Sequence, residues 1–210
     1  MYQADLALFL AARQRTIELI AGLTQAQAEF SPGPGQWSVG EVVDHILLTE
    51  ALNRREIAEL IDMTKSGRKP YLKRAFADVN VSIAYIPKSM LPFLEVPFRL
   101  AGLVIPRAAQ EFMTRYRLLP AQSPDVGTPR QGRSLDELRQ ELRASLQEMV
   151  ALFEANPTLD YGAMTHQHPL LGLNNVLQLL RIVALHEQRH QSQISDILKH
   201  PDFPVVASRA

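Results

Sequence analysis

At 210 residues the chain is long enough for one domain with a well-buried core. Its 22 basic and 22 acidic side chains cancel, so it has no bulk attraction for nucleic acid or an anionic membrane, and such binding needs a local patch. With no cysteine, disulfides, thiolate ligands and thiol nucleophiles are excluded, which leaves His, Asp and Glu as metal-binding side chains.

The start, Met1-Tyr-Gln-Ala-Asp5, lacks the basic and apolar regions of a signal peptide. Glu95, Arg99 and Arg107 interrupt the most apolar stretch before it reaches the length of a membrane span, so a soluble cytoplasmic protein is expected.

Helical periodicity begins at about Gln3 and runs to Ala21, with Leu6, Phe9, Leu10, Ile17 and Ile20 inward. The turn Ser31-Pro-Gly-Pro-Gly35 follows. Ser38 then starts a second helix that reaches about Met63. Glu41 completes a capping box with it, and Trp37 and Val42 occupy the two positions of a hydrophobic staple. Val39, Val42, Val43, Ile46, Leu47 and Ala51 form its expected inner face.

From Thr64 to Gly132 eight prolines cut the chain into short pieces. Basic residues Lys65, Arg68, Lys69, Lys73 and Arg74 open this segment, and a helix is expected from Arg107 to Arg117. It reads as an insertion packed on the rest. The third helix is expected from Ser134, boxed by Glu137, to about Glu154, with Leu135, Leu138, Leu142, Leu146, Met149 and Phe153 inward. The fourth runs from about Leu173 to Leu198, closed by Pro201 and Pro204. Almost nothing reads as strand. The expected class is all-α: a four-helix bundle in a single domain over 1–210, with a Pro-rich, partly helical insertion at 64–132.

The fourth helix has an unusual inner stripe: Leu179, Ile182/Val183, His186, His190, Ile194 and Ile197. His186 and His190 share a face, as residues four apart do, and can grip one ion. His45 lies on the inner stripe of the second helix, between Val42 and Leu52. A lone buried histidine is ordinarily a packed residue with a backbone hydrogen bond. Three imidazoles aimed into one core carry a desolvation cost unless they are hydrogen-bonded or bound to metal. Three ligands leave one tetrahedral position open, which suits catalysis better than structural support. His166 and His168 fall in the loop before the fourth helix, where a solvated role is expected. His200 reads as a helix-end residue.

Two motifs resemble a known family. Gly35-Gln-Trp-Ser-Val-Gly-Glu-Val-Val-Asp-His45 resembles the signature leading into the first metal histidine of the DinB-like superfamily. His168-Pro-Leu-Leu-Gly172, leading to His186-Glu-Gln-Arg-His190, is similar to its closing signature. The likeness covers about 1–63 and 134–198. It implies a four-helix bundle holding a divalent metal through His45, His186 and His190. Known relatives include thiol-dependent transferases and isomerases, while many members have no assigned reaction. The segment 64–132 is longer and more apolar than the pattern needs, which leaves the pocket's shape and substrate open.

The leading expectation is a metal-dependent enzyme. Zinc or nickel held by the three histidines would activate water or a small external thiol for hydrolysis or transfer on a small molecule. Asp44 and Glu187 adjoin ligands in sequence but point about 100° away, toward supporting or surface positions. The alternative is a non-catalytic ligand-binding or homodimerising module that uses apolar residues of the insertion such as Phe93, Phe98 and Leu100. Anion or nucleic-acid binding at Lys65–Arg74 has little aromatic support, so neither a nucleic acid nor a membrane is an expected partner.

Overall fold

A computed structural model of the protein describes residues 2–74, 106–116, 127–168 and 172–205. Those residues form six helices and one small sheet. In chain order they are α1 (Gln3–Ile20), α2 (Gln25–Glu29), α3 (Val39–Lys65), β1 (Tyr71–Lys73), α4 (Arg107–Arg115), α5 (Leu135–Glu154), β2 (Thr165–His168), β3 (Gly172–Asn175) and α6 (Val176–Leu198). The long helices α1 and α3 each pack against both α5 and α6. No helix of the described residues is long and apolar enough to cross a membrane.

Local chemistry sets several boundaries. The box at the start of α3 forms as expected: the Ser38 N–H donates to Glu41 Oε2 at 2.8 Å, and Ser38 Oγ accepts from the Glu41 N–H at 3.2 Å. Gly40, in the first turn, allows α2 to lie close, since a Cβ there would stand 3.3 Å from the Ala28 carbonyl oxygen. The box expected at Ser134 does not form. Instead Gln25 Oε1, reaching across from α2, accepts the Leu135 N–H at 2.8 Å, while its Nε2 donates to the Arg133 carbonyl at 3.1 Å. A side-chain amide from another element thus takes over from the local cap.

The fourth long helix starts three residues later than its periodicity suggests. Asn175 and Gln178 form a capping box there, with bonds of 2.8 and 2.9 Å. Residues 172–175 are consequently strand. β3 runs antiparallel to β2, and β1 joins the other edge of β2 in parallel, with Leu72, His166 and Asn174 in register. The expectation of almost no strand is corrected by these three elements, whose three- or four-residue lengths leave no readable alternation.

The buried apolar residues fall into two clusters. One holds Phe9, Ile57, Leu60, Met149, Phe153, Leu179 and Val183. The other holds Ile20, Val42, Val43, Ile46, Leu138, Leu142, Ile194 and Ile197. Buried polar side chains stand between them: Arg13 from α1, Glu50 from α3, Ser145 from α5 and Glu187 from α6. Arg13 Nε donates to both Glu187 oxygens, at 2.9 and 3.1 Å, and its Nη1 reaches the Ser145 hydroxyl and the Leu142 carbonyl. Glu50 Oε1 accepts from Arg54 Nε at 2.9 Å, and burial raises the Glu50 pKa against the pull of Arg13 and Arg54. On α5 it is Ser145, facing Arg13, that is fully inward, with Leu146 half-buried.

Candidate metal centre

α3 and α6 bring His45, His186 and His190 together. Among the described residues these form a group whose ligand atoms all lie within 4.8 Å of one another. His45 and His190 are buried and His186 is half-buried. His186 Nε2 lies 3.4 Å from His45 Nε2 and 3.3 Å from His190 Nε2.

The orientation of two rings is fixed from behind. His45 Nδ1 donates to the Gly127 carbonyl at 2.5 Å, and His190 Nδ1 donates to Gln193 Oε1 at 2.9 Å. A carbonyl oxygen only accepts, so the proton sits on Nδ1 and the Nε2 lone pair faces the other histidines. Burial lowers the His45 pKa against the Gly127 bond, with the nearby Arg189 charge acting in the same direction as burial. Burial, followed by His190, Arg189 and His45, holds His186 well below the usual histidine range. Neutral imidazole is the form that ligates.

The spacing fits an ion. Zinc–nitrogen bonds of about 2.0–2.1 Å in tetrahedral geometry separate neighbouring ligand nitrogens by about 3.3–3.4 Å. Two of the three edges, from His186 to His45 and to His190, match that separation, in a group whose ligand atoms all lie within 4.8 Å.

Asp44, fully buried, secures the carbonyl behind His45. It accepts the Arg130 backbone N–H at 2.7 Å, Arg130 Nε and Nη2 at 3.2 and 2.7 Å, and Arg133 Nη1 at 2.9 Å. Burial pushes Asp44 up, yet these hydrogen bonds outweigh it and leave its pKa below the ordinary value. Asp44 thereby ties the 127–133 strap, which carries Gly127, to α3. Arg133 continues the tie to Glu141 on α5, at 2.5 and 2.9 Å. Trp37 packs against the site, its ring 4.9 Å from that of His45 and 6.4 Å from that of His190. Beside it opens a cavity of about 630 Å³ walled by Trp37, Ser38, Glu41, Thr128, Pro129 and Gly132.

All three histidines singled out by spacing therefore meet. Asp44 and Glu187 take buried supporting places, Asp44 under the strap and Glu187 against Arg13. Arg189 and Gln193 lay within the histidine run itself, one residue before and three after His190, yet nothing in the pattern marked them out. Gly127 carries no sequence signal, because it acts through its backbone.

His166 and His168 need correction: they belong to β2, not to a solvated loop. His166 is 1% exposed, its Nε2 3.4 Å from Glu56 Oε2, and burial takes it down to about 4. Burial lowers His168 to about 3, with His166 adding to the effect. Neither belongs to the metal group. His200 sits just past the end of α6, its ring 5.5 Å from Phe30. Arg68 and Arg74 of the basic run pair with Asp62, Glu56 and Glu59. Phe93, Phe98 and Leu100 lie outside the described residues.

A mostly helical protein with three imidazoles converging from two helices is of the kind able to hold one divalent metal ion. The chain belongs to the DinB superfamily, whose family model matches residues 8–194. No curated protein and no solved structure matches it.

Proposed function

We propose that His45, His186 and His190 hold one divalent ion, zinc or nickel, through their Nε2 atoms, and that the protein is a metal-dependent enzyme acting on a small molecule. The observation that carries this reading is the 3.3 and 3.4 Å spacing of His186 Nε2 from the other two Nε2 atoms, with the rings of His45 and His190 held at their far nitrogens. An ion bound there supplies a Lewis acid that acidifies water or a small thiol near neutral pH. With no cysteine in the chain, a thiol must come from outside. Transfer of that thiol to an electrophile, or hydrolysis, are the two reactions in view.

In this reading α1, α3, α5 and α6 act as a four-helix bundle, and 64–132 is an insertion whose Gly127 lies behind His45. Gly127 and Gln193 hold the ligand rings, while Trp37 and the strap separate them from the neighbouring cavity.

The test is metal content by mass spectrometry on tag-free protein beside His45→Ala, His186→Ala and His190→Ala. About one equivalent in the wild type, absent from all three folded variants, supports the reading. A wild type that takes up neither zinc nor nickel sinks it. Trp37 is the only tryptophan in the chain and lies against two of the ligand rings, so nickel uptake should also quench the intrinsic fluorescence.

A second reading is a homodimerising module. It draws on Phe112 and Tyr116 of the α4 segment, which are 53% and 50% exposed with rings 4.7 Å apart. Sedimentation as a monomer at high concentration would remove it.

A further inference from the structure

We propose that His186 is the exchangeable ligand of the three-histidine centre: a small donor molecule from solvent can take its place while His45 and His190 stay fixed. This rests on the metal reading above and assigns where that centre exchanges ligands.

Three observations set His186 apart. The first is exposure: His45 is 3% exposed and His190 5%, whereas His186 is only half-buried. The second is support. His45 Nδ1 is held by the Gly127 carbonyl and His190 Nδ1 by Gln193. Among the described residues His186 hydrogen-bonds only through Nε2, to the other two rings, and its Nδ1 has no partner. The third is packing. The Trp37 ring lies 4.9 Å from that of His45 and 6.4 Å from that of His190. Among the described residues His186 makes ring contacts with those two imidazoles alone.

A partner behind a ligating imidazole fixes the ring's orientation, and losing that partner costs about 10- to 100-fold in metal affinity. A ring without one is held only by its own bond to the ion. Taking away His186 also leaves a gap that reaches solvent, so a small molecule can enter it. The gap left by either of the other two is closed off by buried surroundings. Support and access thus single out the same ligand.

The probe is cobalt, followed by visible absorption, with imidazole as the small donor. His186→Gly, His45→Gly and His190→Gly should all bind cobalt more weakly than the wild type. Added imidazole should recover affinity in His186→Gly by at least about 10-fold more than in the other two, the low end of the range for a ligand's supporting partner. Proton NMR of the cobalt-loaded wild type in water gives a second readout. The Nδ1–H signals of His45 and His190, held by hydrogen bonds, should persist, while that of His186 should exchange with water and broaden as pH rises. Equal rescue at all three positions in folded variants, or three equally persistent N–H signals, overturns the proposal and leaves the metal reading standing. A wild type that takes up no cobalt overturns the metal reading itself. Where circular dichroism shows a glycine variant unfolded, the wild-type signals decide.

Discussion

Replacing Arg13 with methionine tests whether the ionic layer between the two apolar clusters behaves as a buried pair. Arg13 is fully buried and Glu187 is 1% exposed. Methionine retains much of the side-chain volume, so the loss is mainly electrostatic. It deletes two hydrogen bonds to Glu187 and those to Ser145 and Leu142. Glu187 is left without that partner, and Glu50 loses one of the cations that offset its burial. Breaking one partner of a buried pair costs about 3–5 kcal/mol. Whole domains have only about 5–15 kcal/mol of stability, so Arg13→Met should be marginal. Removing both charges in Arg13→Met/Glu187→Leu should recover most of the loss, because replacing a buried pair by apolar residues of similar volume is often neutral or better. Urea denaturation of metal-free protein at pH 7 reads both. An Arg13→Met midpoint equivalent to a loss under about 1 kcal/mol, or a double variant no better than the single, would refute the reasoning.

Asp44→Asn keeps the side chain's size but weakens its grip on the 127–133 strap, so metal affinity should fall about 10- to 100-fold with the fold retained. Zinc competition and circular dichroism check the two halves of that statement. His166 carries a pH signature: with a folded pKa of about 4 against about 6.5 unfolded, the unfolded chain takes up its proton first as pH falls. Its contribution is intact above pH 6.5 and lost between 6.5 and 4, to a total of about 3 kcal/mol, so His166→Gln should flatten the acid limb of a stability–pH curve. His186→Leu should leave metal-free stability level or raised, since it removes a half-buried polar ring. It should also abolish the gain of about 2.7 kcal/mol that the wild type shows with zinc at 100 times its dissociation constant. A large metal-independent loss in thermal melts would instead mark His186 as a packing residue.

What the sequence discloses depends on how local the physics is. The α3 start was legible because cap, box and staple all lie within Trp37–Val42. The three clustered histidines were legible because imidazoles stood where the 3.6-residue period calls for apolar side chains. Arg13 carried the same signal, standing between Phe9 and Ile17 on the inner stripe of α1, and went unmarked for want of a visible partner 174 positions away. The Ser134 box failed for the opposite reason: its local pattern was complete, but Gln25 caps that helix start from another element, through the Leu135 N–H. His166 looked solvated because a four-residue strand gives no alternation to reveal its neighbours in the sheet.

The three-histidine group and the ionic layer share α6. Glu187 is flanked by His186, with His190 three residues on. A slide of α6 by one turn moves every side chain on it by about 5.4 Å. Such a slide would set Glu187 against apolar neighbours and strand Arg13 without its partner. It would also part His186 and His190 from His45. A metal constellation tolerates misplacement of only about 0.5 Å, far less than an apolar core does. Arg13 and Glu187 thus fix a register that the apolar clusters alone would leave loose, at some cost in stability. The double variant Arg13→Met/Glu187→Leu separates the two effects. It should regain stability yet bind zinc more weakly than the wild type, with broader amide resonances along α6. Zinc binding as tight as the wild type's would show that the apolar contacts and the 127–133 strap suffice to hold the ligands in place.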